Sequence, residues 1–364
     1  MDFAFDPTQT EIAEVTAGVL DRSADLADAA RWQVLVDSGL LGLALPEAYG
    51  GDGLGLAEAG TVLVEVGRRA LATPVLTTLA LGALPLARSG TRAQQEAYLS
   101  RVVKDGLVLT AALHEPSTPF PSRPRTRARA DGDRLVVSGT KVAVPYLDRA
   151  DRVLVPVSVD GGGTGVLIVD PLSAGVEVCA VPASGSVPHH RLALTDVSVP
   201  AADLLGGQAD GTVVTDLYRV ALVAAALTAD GLLAGALALT TRHVATRQQF
   251  GRPLATLPVV AQQIADVYVA SRVLHLLAWS ACWQVTTGRP AGPDTDPAVA
   301  AYWIGEHLRP ALATCHHLHG GLGLDSRYPL HRFSAAAADL ARFVGGPDDG
   351  LDRLGDHLFG RREG

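Results

Sequence analysis

The chain has 364 residues, 48% of them hydrophobic and 19% charged, with a formal net charge of −8. That is enough apolar material for a sizeable core in two or three domains or one multi-layer fold. The negative balance argues against nucleic acid as the main partner, because phosphate binding needs a concentrated positive field.

The start, Met1-Asp2-Phe3-Ala4-Phe5-Asp6, is acidic and lacks the basic region of a secretory signal. Asp6-Pro7-Thr8 is a helix start, and Ile12, Val15 and Val19 recur at helical spacing behind it. The helical pattern runs to about Arg101, broken by Asp37-Ser38-Gly39 and by the turn cluster Tyr49-Gly50-Gly51-Asp52-Gly53. From Leu107 to Leu205 the character changes. Val108 to Leu113, Arg134 to Ser138, Arg152 to Val157 and Gly165 to Val169 read as strands. Asp131-Gly132-Asp133 and Asp160-Gly161-Gly162-Gly163 read as hairpin turns. Strands at this spacing without intervening helices predict a small antiparallel barrel or sandwich.

Helix returns at Thr212. The stretch to Arg247 holds no proline, enough for some nine turns or about 50 Å. Its most apolar part, Val220 to Leu239, contains Thr228 and Asp230, so it reads as a buried helix and not a membrane span. It is apolar around much of its circumference, which predicts that assembly covers part of it. Further helices are predicted over Pro258–Thr287, Pro297–His319 and Pro329–Val344, giving a buried bundle. The fold class is thus α+β: an N-terminal helical domain over 1–106, a middle antiparallel β-barrel or sandwich over 107–205, and a C-terminal four-helix bundle over 206–364. Cys179, Cys282 and Cys315 are far apart and show no CxxC spacing, so reduced thiols in a cytoplasmic protein are expected, without metal or disulfide. His316, His317 and His319 crowd together without a carboxylate at fitting spacing, which also speaks against a metal.

Several motifs stand on these elements. Gly39-Leu40-Leu41-Gly42-Leu43 leads into Pro46-Glu47-Ala48-Tyr49-Gly50-Gly51. Leu113-His114-Glu115-Pro116 ends a strand, and Gly139-Thr140-Lys141 turns into another. Arg247-Gln248-Gln249-Phe250-Gly251-Arg252-Pro253-Leu254 closes the long helix, and His317-Leu318-His319-Gly320-Gly321-Leu322-Gly323 follows about two helices later. Together they resemble the acyl-CoA dehydrogenase family, in the same order along nearly the whole chain.

The resemblance implies FAD as cofactor and an acyl-CoA thioester as substrate. It implies that Arg247, Gln249 and Phe250 reach a flavin held mainly by an adjacent subunit. The planar fork of an arginine suits the paired oxygens of the pyrophosphate. His317 takes the place of the family's usual Gln, and Gly320 and Gly321 give backbone a close approach to the cofactor. Leu113 and His114 match the strand end beside the flavin ring, with His114 in place of Thr. The family's G-x-G-S-D is here Ser117-Thr118-Pro119-Phe120-Pro121, so a hydroxyl and an acid are missing. The Trp and Thr contacts after the GTK turn fall on Ala143 and Pro145, and proline has no N–H to offer. Arg123, Arg125 and Arg127, in the Pro-rich loop, are candidates for phosphate contacts.

The family removes the substrate α-proton with a glutamate. Counting from Tyr328-Pro329 puts that position on Val344, and the alternative position on the long helix falls near Ala221 or Tyr218. No glutamate stands between Glu177 and Glu306, and the next is Glu363. Asp216 and Asp230, the acids on the long helix, are the remaining candidates. Three accounts follow. The chain is the base-lacking subunit of a hetero-oligomeric acyl-CoA dehydrogenase, resembling actinobacterial pairs that act on bulky steroid-derived thioesters. Or it is a homo-oligomeric flavoenzyme with another base, or with another reaction such as oxidation or monooxygenation. Or it is a non-catalytic binding protein on the same fold.

Overall fold

The computed structural model describes residues 5–287 and 296–359. Five helices come first: α1 (Pro7–Arg22), α2 (Asp28–Asp37), α3 (Leu56–Arg68), α4 (Leu84–Ser89) and α5 (Arg92–Asp105). Asp6 starts α1 with a reciprocal cap: its carboxylate accepts from Gln9 N at 2.8 Å, and Gln9 Oε1 accepts from Asp6 N at 3.2 Å. Thr91 and Gln94 cap α5 in the same way.

Nine strands follow: β1 (Leu109–Ala111), β2 (His114–Glu115), β3 (Thr118–Pro119), β4 (Arg127–Asp131), β5 (Arg134–Pro145), β6 (Arg152–Val159), β7 (Gly163–Val169), β8 (Val176–Val181) and β9 (His189–Pro200). They form one sheet around a core of Val137, Val153, Val155, Leu167 and Leu192. It is sandwich-like but does not close into a barrel, and it is mixed and not purely antiparallel. The reason is β6, which pairs in parallel with β1 and β4 while taking β7 antiparallel. A long β5 pairs with β9 through two irregularities, and Ala143 takes the left-handed conformation at the second.

The C-terminal part is helical: α6 (Thr212–Thr246), α7 (Pro258–Thr287), α8 (Asp296–Trp303), α9 (Arg309–His319), α10 (Leu330–Phe343) and α11 (Gly346–Phe359). A short hairpin of β10 (Gln248–Gln249) and β11 (Arg252–Pro253) lies between α6 and α7. One wide turn, Ile304–Leu308, joins α8 to α9 within the stretch expected as a single helix. After Phe343-Val344 the chain goes on into a further helix, α11.

The N- and C-terminal helices share one core, in which α6 is the axis. Small residues at the α3–α6 crossing permit it. A Cβ on Gly231 would stand 1.8 Å from the Val64 carbonyl oxygen, and one on Gly67 would stand 2.1 Å from that of Thr228. The expectation that α6 itself offers apolar surface for assembly is corrected here. The chain's own helices cover it, and 83% of its most apolar window is buried. Uncovered apolar surface lies instead on α7, where Val259, Tyr268, Val269 and Leu276 are exposed.

Candidate functional site

The strand end Leu113-His114-Glu115-Pro116 is fixed by a buried ion pair. Glu115 Oε1 accepts from Lys141 Nζ at 2.8 Å, and both side chains are buried. The same carboxylate accepts from Arg125 N at 2.7 Å, Thr126 N at 2.9 Å and Thr126 Oγ1 at 2.7 Å. Burial alone would raise the Glu115 pKa, but the Lys141 charge and these hydrogen bonds outweigh it and hold it below the ordinary value. Burial pushes Lys141 down to about 8, with Glu115 opposing the fall. The pair therefore ties the start and end of the 116–126 loop to β5.

That loop turns inward. Ser117 and Phe120 both take the left-handed conformation, with φ of 61° and 48°. Phe120 is thereby driven into a cluster of rings. Its centroid lies 4.9 Å from His114, 5.3 Å from Tyr218 on α6 and 5.8 Å from Phe343 at the end of α10. His114 and Phe343 are 5.5 Å apart. The Arg353 guanidinium, from α11, sits over the Phe120 face at 4.9 Å and is itself held by Asp349 and the Val344 carbonyl. Tyr218 Oη donates to the Pro121 carbonyl at 3.1 Å. Burial, helped by the Arg353 charge, lowers the His114 pKa to about 4, so the ring is neutral.

The rings form a wall. On one side lies a cleft of about 910 Å³, lined by Phe120, Tyr218 and Arg353 and by the acids Asp210, Asp216, Asp349, Asp352 and Asp356. On the other lies a cavity of about 110 Å³ that Phe343 also lines. Five acids against Arg219 and Arg353 make the cleft a poor host for a polyphosphate.

The positions expected for the base, and the two acids of the long helix, all lie among the described residues. Val344 is fully buried at the end of α10. Asp216 lines the cleft, but both its oxygens accept from Arg88 at 2.8 Å. Asp230 is buried and does not line the cleft, and its Oδ2 lies 2.9 Å from His275 Nδ1 on α7. Asp216 is thus paired with a guanidinium and Asp230 with an imidazole.

The second group of motif residues lies at the other end of α6. Arg247 leaves the helix in extended conformation, and Leu254 N donates back to its carbonyl at 2.9 Å. Phe250 and Gly251 form the left-handed tip of the β10–β11 hairpin. Phe250 is 86% exposed, and Arg247 and Gln249 are exposed beside it. The glycine-rich end of α9 is brought to the same place by histidines. His243, one turn before Arg247, stacks on His319 at 4.4 Å and 18°. His319 is fixed by the Cys315 carbonyl at 2.8 Å and the Tyr328 hydroxyl at 3.1 Å. Burial lowers the pKa of both rings. A Cβ on Gly320 or Gly321 would meet nothing within 4 Å, so their backbone is open to a ligand.

The two groups fit a flavin unequally. The outer group presents an arginine, an aromatic and two bare glycine backbones to solvent, which suits a pyrophosphate. The inner group is closed over by its own side chains. Leu113 is buried in the core, His114 is buried in the ring wall, and Pro145 is buried too. Phe120 stands at the position where the motif would carry a small hydroxyl, and its ring packs against His114. Phe343, Arg353 and His243 carry no motif in the sequence, and Tyr218 enters it only as a position counted for the base. The replacement of a motif serine by Phe120 is the signal the sequence offers for the ring cluster.

Comparison with known proteins follows the same lines. Residues 5–105 match the acyl-CoA dehydrogenase N-terminal domain, and residues 213–352 the C-terminal domain. Acyl-CoA dehydrogenase FadE28 of Mycobacterium tuberculosis is 42% identical over 353 residues, covering 96% of this chain and 98% of that one. A chain of the ChsE4-ChsE5 complex from Mycobacterium tuberculosis superposes with a TM-score of 0.90 at 31% identity, over 100% of both chains. A chain from a variant of the Tcur3481-Tcur3483 steroid ACAD gives 0.88 at 31% identity, covering 96% of this chain and 97% of that one. With matching models at both ends, near-complete coverage by FadE28, and the motifs in order between them, the chain belongs to the acyl-CoA dehydrogenase family.

Proposed function

We propose that this chain is the base-lacking subunit of a cytoplasmic hetero-oligomeric acyl-CoA dehydrogenase that desaturates a bulky acyl-CoA thioester, of steroid side-chain or fatty acyl type. The observation that carries this reading is the contrast between its two half-sites. The inner half is filled by His114, Phe120, Tyr218 and Phe343. The outer half, at Arg247 and Phe250, faces outward. A chain so built completes a site on another subunit and leaves its own closed.

In this reading Arg247 pairs with the pyrophosphate of a partner-held FAD, Gln249 and His317 offer hydrogen bonds, and Phe250 covers the cofactor. Gly320 and Gly321 allow backbone contact. FAD, when bound, supplies the hydride acceptor for the substrate Cβ. The carboxylate that takes the α-proton belongs to the partner, since Val344 offers none here. Two of the relatives support the pairing: one is a complex of two differently named chains, and the other a steroid enzyme likewise named for two components. The exposed apolar face of α7 gives such a partner a surface to cover.

The test is the visible spectrum of the chain purified alone and after co-expression with a homologous, glutamate-bearing subunit. The proposal expects a colourless chain alone and an oxidised-flavin band with the partner. A yellow chain that an acyl-CoA bleaches without a partner overturns it and favours the homo-oligomeric account.

A further inference from the structure

The end of α6 and the end of α9 meet through two imidazoles that the flavin reading does not use. His243 accepts at its carbonyl from Arg247 N at 2.8 Å, so it carries the point where Arg247 leaves the helix. His319 is the last residue of α9, and Gly320 and Gly321 follow it directly. Their rings stack at 4.4 Å, with 18° between the planes. Each ring thus holds one part of the outer group. Beyond the stack, the two helix ends share a small apolar cluster of Val244, Val260 and Leu318, which α7 extends with Ile264.

The hydrogen bonds fix the protonation state of His319. Its Nδ1 lies 2.8 Å from the Cys315 carbonyl, which can only accept, so Nδ1 carries the hydrogen. In the neutral ring Nε2 then accepts from the Tyr328 hydroxyl at 3.1 Å. A second proton on His319 would force that hydroxyl to turn from donor to acceptor. The groups facing the stack are cations or further imidazoles. Arg247 faces His243, Arg242 faces Tyr328, and His316 faces both His319 and His331. Asp325, in the turn before Tyr328, is engaged by Arg327. Burial first, and the Arg247 charge second, hold the His243 pKa below its ordinary value. Burial does the same for His319, with the Cys315 carbonyl opposing and the His243 charge adding to it. Neutral rings stack without penalty, whereas two protonated rings would set like charges 4.4 Å apart.

We propose that His243 and His319 are positioning residues for the cofactor and form a proton-sensitive clasp: stacked and neutral they hold Arg247 beside Gly320 and Gly321, and protonated together they part and release flavin. This rests on the reading that the outer group receives a partner's FAD. The open form binds more protons than the closed one. The clasp is therefore closed at neutral pH and opens as pH falls below the ordinary imidazole value.

The experiment measures the Kd for FAD of the complex of this chain with its glutamate-bearing partner, from about pH 7.5 to about pH 5. For the wild type the Kd should rise by about tenfold or more as pH falls, more steeply than one proton allows. His243→Phe keeps a ring in the stack without a charge. It should bind FAD as the wild type does at neutral pH and lose the steep dependence. His243→Ala removes the stack and should weaken FAD by about tenfold even at neutral pH. A ring that only fills space would leave the pH slope of His243→Phe unchanged. If the wild type and His243→Phe lose FAD along the same pH curve, or His243→Ala binds it like the wild type, this inference fails while the subunit reading stands. A wild-type complex that binds no FAD at any pH overturns both.

Discussion

Replacing Glu115 by Gln should be among the most damaging single changes outside the helix crossings. The carboxylate accepts four hydrogen bonds, from Lys141, Arg125 and twice from Thr126, and Lys141 is fully buried beside it. A glutamine keeps one acceptor oxygen and turns an N–H₂ toward donors. Breaking a buried pair by removing one partner costs about 3–5 kcal/mol. At a few degrees per kcal/mol for a chain of this order, the Tm should fall on the order of 10 °C. The pH dependence carries a sign. The Lys141 pKa falls from the ordinary 10.5 to about 8 in the fold, so folding disfavours its charged form. That penalty is worth about 3 kcal/mol at 1.36 kcal/mol per pH unit. It is fully present below pH 8 and fades as pH rises toward 10.5, so the Lys141 contribution makes the protein more stable over that window. Without Glu115 the ammonium loses the group that holds its pKa up, and the gain begins at lower pH. The assay is urea denaturation from about pH 6.5 to 10, with Lys141→Met and the double variant completing a cycle. The double variant should lose less than the two singles summed. A Glu115→Gln cost under about 1 kcal/mol, or strict additivity, would refute the reasoning.

Other outcomes follow from the same contacts. Gly231→Ala should prevent the α3–α6 crossing and give insoluble or partly unfolded protein, whereas Gly355→Ala, where a Cβ meets nothing, should be harmless by circular dichroism. Asp216→Asn and Asp230→Asn should lower the Tm, through loss of Arg88 and His275, yet leave turnover of the assembled enzyme within about twofold; a loss near the 10²-fold or more that a missing catalytic proton-transfer group brings would make either acid the base. Arg247→Ala should strip flavin from the complex, and Arg247→Lys should restore little, because a point charge does not replace a planar fork; retained flavin in both would remove Arg247 from the site. Phe120→Ala should cost about 3–5 kcal/mol in a melt and open the ring wall, readable as new ligand access to His114 by its NMR titration.

Much of this was legible in the chain. The long helix, α7 and α10 follow from apolar spacing and proline punctuation, and their observed ends lie close to those expected. The motif runs carried the family. What could not be read was direction. Apolar residues around α6 look the same whether its own neighbours or a partner cover them, and only the Gly67 and Gly231 crossing decides. The parallel pairings of β6 link residues far apart in sequence, for which strand pattern has no signal. Aspartates on the long helix looked like spare acids because Arg88 and His275 are remote in sequence. The ring wall was hidden for the same reason: His114 and Phe120 meet Tyr218, Phe343 and Arg353 only through the fold. Motif matching pointed to the outer group at Arg247 but could not report that Phe120 packs against His114, Tyr218 and Phe343.

The central claim is that this chain completes a flavin site it does not itself possess. The most direct measurement is the ratio of FAD to protein in the purified complex of this chain with its glutamate-bearing partner, beside the same complex carrying Arg247→Ala in this chain. One FAD per pair of unlike chains, lost in the variant, is the expected result. One FAD per chain, or flavin retained in full by this chain alone, would contradict it.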